Sequence, residues 1–244
     1  MIVLFTDFGS QDPYVGQVKA RLFDAAPVQQ VVDLLHEAPV FNALAGAHLL
    51  AAFAPTFPPG TVFLAVVDPG VGTARDAIVL LSGGQWFVGP DNGLLSIVAA
   101  RNPDAKVWRI TWQPQTLSAT FHGRDLFAVI AAEIARGDFP ADKLTEVAQL
   151  SVMFDSQDLP RVIYLDHFGN AWTGLRGAAI PHSARITAKG VPFKHSESFG
   201  FVGRGEGFWF VNSVGLVELA VNRGCAAELF GLAVDDEVLI ESTH

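Results

Sequence analysis

The stretch TVFLAVVDPGVGTAR, residues 61–75, decides the fold. An uncharged run rich in β-branched residues, 61–67, stops abruptly at Asp68-Pro69-Gly70. A short apolar run bounded by turn residues is the pattern of a strand buried on both faces. The same pattern occurs upstream, where IVLFT at residues 2–6 runs into Asp7-Phe8-Gly9. It recurs downstream at 77–81 and, after the Ser82-Gly83-Gly84 turn, at 85–88, which leads into GPDNG at 89–93. Residues 28–34 read as a further strand, and 14–25, 41–53, 93–101 and 124–136 read as helices. Strands alternating with helices predict an α/β sandwich around a mostly parallel sheet covered on both faces.

Residues 38–67 contain no Asp, Glu, Lys or Arg, so this segment has to be distinguished from a membrane span. Pro39, Pro55, Pro58, Pro59 and Gly60, with the polar Asn42 and His48, divide it into a helix, a turn and a strand. The helix is then apolar on most faces because it is enclosed in the fold. MIVLFTDFGS has neither a basic leader nor a small-residue cleavage site, and reads as a first strand. The single cysteine, Cys225, cannot form an intramolecular disulfide and reads as a small apolar residue, so a cytoplasmic protein is expected. The net charge of −9 argues against nucleic acid as a partner and leaves room for a small cationic ligand. No membrane partner is expected.

The character changes over 137–161, where Pro140, Asp155, Ser156, Asp158 and Pro160 mark a connection. Beyond it, short strand candidates at 162–166, 184–188, 207–211, 216–221 and 237–240 alternate with glycine-rich turns. This is the signature of a small antiparallel barrel. The chain is therefore divided into an N-terminal α/β domain, 1–150, and a smaller C-terminal antiparallel β-barrel, 151–244.

Polar residues concentrate where the apolar runs end. In open parallel sheets, ligands bind beyond the carboxyl ends of strands, so Asp7, Asp68, Asp91 and the TFHGRD segment at 120–125 are expected on one rim. Singly, each has a plainer explanation. Asp7, Asp91 and Asp125 suit helix caps or turns, Asp68-Pro69-Gly70 is an ordinary turn, and a lone His122 suits a structural role. There is no dinucleotide or phosphate-loop glycine pattern.

Six segments in order change that balance: TDFGSQDPYVGQVK, VVDPGVGTAR, FVGPDNG, TFHGRDLFA, YLDHFGN and NSVGLVELAVNRG. Together they resemble the S-adenosyl-L-methionine hydroxide adenosyltransferases, relatives of the fluorinases and chlorinases, over nearly the whole chain. The resemblance implies an α/β domain followed by a β-barrel. It implies hydrolysis of S-adenosyl-L-methionine to adenosine and L-methionine, with that molecule as substrate and no cofactor or metal. It also implies a homotrimer with active sites at subunit interfaces. The family's water-positioning Asp, Arg and His fall on Asp68, Arg75 and His122. Halide-using relatives lack the Arg and His, so these residues favour water as the nucleophile. Asp7, with Phe8 beside it, falls where the family grips the ribose hydroxyls. Asp166 and Asn170 match contacts to methionine and adenine, and Ser213, Glu218 and Val221 match substrate-lining positions. One departure is Trp172-Thr173-Gly174, where relatives often have a Thr-Asn pair after FGN.

A sulfonium carries its own leaving group, so the task left to the protein is to hold water in line with the C5′–S bond. Asp68 or His122 can take the proton. An Arg beside Asp68 makes that carboxylate the weaker base, which favours His122 as acceptor. Phe168, Phe199, Phe201 and Trp209 either pack on the purine or fill the barrel core. Two other readings are a metal-dependent hydrolase using Asp7, Asp12, Asp68, His122 and Asp125, and a non-catalytic nucleoside sensor in which Asp68, Arg75 and His122 are structural.

Overall fold

The structure, a computed structural model, describes residues 1–241; the last three residues of the segment 151–244 lie outside the described residues. The chain forms two compact units, 1–156 and 157–244.

The first unit contains β1 (Ile2–Thr6), α1 (Pro13–Ala25), β2 (Val31–Leu35), α2 (Ala43–Phe53), β3 (Val62–Val66), β4 (Ala77–Ser82), β5 (Gln85–Pro90), α3 (Ser96–Ala100), β6 (Lys106–Ile110), α4 (Ala128–Ala135) and β7 (Leu144–Val147). Its sheet has the order β2-β1-β3-β5-β4-β6-β7. The expectation of a mostly parallel sheet holds for one half only. β2, β1, β3 and β5 are mutually parallel, whereas β4, β6 and β7 join antiparallel. The reason is local. β4 and β5 are joined only by Gly83 and Gly84, both at positive φ (58° and 76°). A two-residue connection of that shape makes a hairpin, whereas a parallel pair needs a long crossover.

Strands β6 and β7, which the sequence pattern does not mark, are partly exposed and mix polar with apolar residues without strict alternation. Helix α2 is eleven residues long and buried along most of its length, which accounts for the uncharged stretch without a membrane. Among the described residues no helix is long and apolar enough to cross one. On the face carrying α1 and α4, Leu22, Leu126, Phe127 and Ile130 pack against Leu4, Leu64 and Val88 of the strands.

The second unit contains β8 (Leu159–Leu165), β9 (Ala171–Arg176), β10 (Arg185–Ala188), β11 (Val191–His195), β12 (Gly207–Val211), β13 (Leu216–Val221), α5 (Ala226–Phe230) and β14 (Val238–Glu241). The order is β14-β10-β11-β12-β13-β9-β8, and a bridge between Arg161 and Glu237 brings the two edges together into a nearly closed barrel. All named strand pairs are antiparallel except β11–β12. Val162, Phe193, Trp209, Val217 and Leu219 fill the interior.

Candidate active site

β1 and β3 are parallel neighbours with Thr6 level with Val66, so their polar continuations leave the sheet side by side. The Asp7 N–H donates to the Val66 carbonyl at 3.2 Å. Asp7, Phe8, Asp68 and His122 all line one cavity of about 460 Å³. Gly72 sets its width. It has φ +78°, and a Cβ there would lie 2.4 Å from the Ala119 carbonyl oxygen. Only glycine lets the loop after β3 close onto the segment that carries His122.

That segment enters its helix irregularly. The sequence suggests one helix over 124–136, but the chain makes one π-helical turn at Gly123–Phe127 before α4 begins. Such turns interrupt a regular helix and recur at functional sites. His122 stands immediately before this one.

Arg75 joins the other two polar residues. Its Nε donates to Asp68 Oδ1 at 2.9 Å and its Nη2 donates to Asp68 Oδ2. The same Nη2 lies 3.2 Å from His122 Nδ1. The Asp68 side chain is only 4 % exposed and that of Arg75 10 %. The guanidinium also sits 5.3 Å from the centre of the Phe127 ring. A guanidinium can only donate, so Nδ1 must accept, and the proton of a neutral His122 ring resides on Nε2. Burial and the Arg75 charge both push the His122 pKa down, against the opposing pull of Asp68 and Asp125. His122 therefore presents an N–H and has no free lone pair with which to receive a proton.

Asp7 is held differently. Its Oδ2 accepts the Phe41 N–H at 3.2 Å. Its pKa is raised, chiefly by burial and further by the Asp68 charge, while the Phe41 bond opposes the rise. Phe41 itself has φ +59°, outside the helix where the sequence reading put it. Asn42 starts that helix as N-cap, its side chain accepting from Ala45 N at 3.0 Å.

In the barrel unit, Asp166, Asn170, Ser213, Glu218 and Val221 line a single cavity of about 670 Å³. Asp166 Oδ1 accepts the backbone N–H of Phe168 and of Asn170, both at 2.9 Å, and its Oδ2 accepts from Asn170 Nδ2 at 3.3 Å. Asn212 Oδ1 accepts from Val214 N and Leu216 N, which orients its amide so that Nδ2 donates to Glu218 Oε2 at 3.1 Å. Glu218 is 4 % exposed. Burial is the first cause that lifts its pKa to about 7, and the Asp166 charge adds to the rise, while hydrogen bonds from Asn212 and Asn170 hold it back.

The aromatic candidates divide. Phe168 and Phe199 line this cavity, and Phe201 lines a different one on the barrel. Trp209 belongs to the core, fully buried, with Nε1 donating to the Ala184 carbonyl at 3.1 Å. Asp91 and Asp125 serve the chain itself: Asp91 accepts from Ser151 N at 2.9 Å, and Asp125 from Ser118 N at 2.9 Å. Sequence reasoning missed Phe41 and Asn212. Asn42, a favoured cap residue, was the signal that Phe41 lies outside the helix, and Asn212-Ser213-Val214-Gly215 was a turn signal for Asn212. Among the described residues no group of three or more His, Cys, Asp or Glu is arranged to hold a metal ion.

Comparison with known proteins is consistent across the whole chain. The profile described as SAM hydroxide adenosyltransferase N-terminal domain matches residues 2–145, and the C-terminal domain profile of that family matches 160–239. A Thermus thermophilus protein named (R)-S-adenosyl-L-methionine hydrolase is 39 % identical over 95 % of this chain and 95 % of its own. A Salinispora tropica protein of the same name is 37 % identical over 96 % and 95 % respectively. A crystal structure of a Thermotoga maritima protein superposes with a TM-score of 0.89 at 33 % identity, covering 99 % of this chain and all of its own.

Proposed function

The chain belongs to the SAM hydroxide adenosyltransferase family, and on that premise we propose that it hydrolyses S-adenosyl-L-methionine to adenosine and L-methionine. The observation that carries the mechanism is the shared Arg75 Nη2, bonded to Asp68 and in contact with His122 beside a cavity that also holds Asp7. The N-terminal domain carries the water site, and the barrel cavity takes adenine and methionine groups through Asp166, Asn170, Ser213, Glu218 and Val221.

Water accepts the Nε2–H of His122 and donates to Asp68. Each Asp68 oxygen has a second lone pair beyond the one used by Arg75. As the water oxygen bonds to C5′, the C5′–S bond breaks, its electron pair goes to sulfur, and methionine leaves as a neutral thioether. The water proton passes to Asp68 and then to solvent. Arg75 fixes both neighbours, so that Asp68 is in place to take the proton as the attacking oxygen becomes positive. Asp7, with Phe8 beside it, holds the ribose hydroxyls so that C5′ faces the water.

No cofactor is required, since the sulfonium supplies its own activation. The assembly is a homotrimer that completes its active sites across subunit interfaces, in the cytoplasm and without nucleic-acid or membrane partners. The charge of −9 and the lone Cys225 support that setting.

The test is incubation of the purified protein with S-adenosyl-L-methionine in oxygen-18 water, with chelator, followed by chromatography and mass spectrometry. Adenosine labelled at the 5′ oxygen, formed at an unchanged rate with chelator, is expected. Intact substrate would sink the reading, and unlabelled adenosine would sink direct attack by water. Light scattering checks the trimer.

A further inference from the structure

We propose that His36 is a positioning residue for substrate, holding the Asp7–Phe8 loop through Thr6 so that Asp7 meets the ribose hydroxyls. The inference rests on the reading of Asp7 given above, and nothing in the family resemblance or the comparisons assigns His36 a role.

His36 follows the last residue of β2 and is 8 % exposed, and among the described residues only its Nδ1 has a hydrogen-bond partner. Nδ1 lies 2.9 Å from Thr6 Oγ1. Nε2 lies 3.3 Å from Asp33 Oδ1, and Asp33 Oδ2 accepts from Lys19 Nζ at 2.8 Å. Partial burial raises the Asp33 pKa, but Lys19 and the nearby His36 ring outweigh it and hold it down, so a carboxylate faces Nε2. Nε2 then carries the ring proton and Nδ1 is left to accept from the Thr6 hydroxyl. The Thr6 oxygen in turn accepts the Phe8 N–H at 3.4 Å. The hydrogen bonds run from Lys19 to Asp33, from Thr6 to His36 and from Phe8 to Thr6, while His36 Nε2 faces the Asp33 carboxylate without bonding it.

The backbone repeats the link. Gly9 N donates to the His36 carbonyl at 2.8 Å, and Ala38 N donates to the Thr6 carbonyl at 3.0 Å. Glu37 Oε1 accepts from Ser10 N at 2.7 Å. The residues after β2 therefore grip the loop on both sides of Asp7, and the Thr6 hydroxyl fixes the peptide that follows it. Asp7 needs such support because among the described residues it makes no ion pair and its carboxylate is held by the Phe41 N–H. A loose Asp7 would still bind, but with less discrimination for ribose hydroxyls, since a carboxylate must be fixed to receive both.

The test compares adenosine with 2′-deoxyadenosine by calorimetry, and KM with kcat, in four variants. His36→Leu keeps the volume and removes the ring's bond to Thr6; Thr6→Val removes the same bond from the other side and the bond to Phe8 N. Each is expected to weaken adenosine binding about ten-fold and leave deoxyadenosine within about two-fold, with KM rising and kcat falling less than about three-fold. His36→Asn, whose carbonyl can stand in for Nδ1, is expected to restore most of the discrimination. Asp7→Ala is the reference and should abolish it. If Asp7→Ala discriminates normally, the reading of Asp7 fails. If Asp7→Ala loses discrimination while His36→Leu and Thr6→Val keep it, the reading of His36 fails. Equal weakening of both nucleosides in His36→Leu and Thr6→Val would make His36 merely structural and overturn the proposal. Should His36→Leu not fold, Thr6→Val decides.

Discussion

Two carboxylates, one in each unit, are held in opposite ways. The Asp68 side chain is shielded and locked to the Arg75 guanidinium. Glu218 is buried as a whole residue, and its neighbours are the amides of Asn212 and Asn170 and the second carboxylate of Asp166. A guanidinium compensates a buried charge with a charge and two donors, whereas an amide offers one donor and a partial dipole. Burial alone therefore does not define an acid's role. In the α/β unit the partner is built in. In the barrel unit the lining of the cavity leaves the carboxyl under-compensated, ready for a ligand that brings donors or positive charge.

The largest effect should come from removing the built-in partner. Arg75→Met leaves Asp68 buried without its counter-charge, a change of about 3–5 kcal/mol in similar cases. It also frees His122 Nδ1, so the ring tautomer is no longer fixed. Turnover should fall at least about 100-fold, the usual scale for a lost transition-state donor, while adenosine affinity moves far less. Steady-state kinetics and thermal unfolding check both; unchanged kcat would show that Arg75 does not organise the water site.

The second test alters Glu218. Its folded pKa, about 7, lies above the ordinary glutamate value of 4.5. Between those values the folded state binds more protons than the unfolded state, so stability falls as pH rises through this window. Below it the contribution is fully present. Above it the loss amounts to about 3 kcal/mol, from a shift of two to three units at 1.36 kcal/mol each. Glu218→Gln should abolish that slope, so the unfolding free energy of the variant exceeds that of the parent at pH 8 and not at pH 5. Equal pH slopes in denaturant titrations would show that Glu218 is compensated after all.

How much of this contrast could be read beforehand follows from where each signal lies along the chain. The runs 2–6 and 61–67 mark β1 and β3 because strands buried on both faces are continuous apolar segments. Polar residues immediately after such runs are easy to find, so Asp7 and Asp68 were candidates. β6 and β9 were missed because their residues, KVWRI and AWTGLR, interleave charge, aromatic and glycine, and pairing partners alone make them strands. The direction of β4 was signalled by Gly83-Gly84 but was outweighed by the alternation around it. The His122 tautomer is not legible in the sequence at all, since it depends on which ring nitrogen faces Arg75. His36 and Thr6 are thirty positions apart in sequence and meet only because β1 and β2 pair.

The smallest expected effect isolates burial from chemistry. Asp76 follows Arg75 directly and pairs with Arg109 at 3.7 Å, with side chains 41 % and 46 % exposed. Its charge type and partner type are those of the Asp68–Arg75 pair; what differs is access to water and the closeness of contact, one approach at 3.7 Å against two hydrogen bonds. Exposed pairs are screened and contribute about 0–1 kcal/mol. Asp76→Asn keeps the backbone carbonyl that accepts from Arg75 Nη1 at 3.3 Å, so the guanidinium is undisturbed. The variant should unfold within about 0.5 kcal/mol of the parent and retain its turnover. Raising the ionic strength should erase even that difference, while the Arg75→Met deficit persists. A large loss in Asp76→Asn would mean that the loop after β3, rather than the buried guanidinium–carboxylate pair, carries the energetics assigned to Arg75.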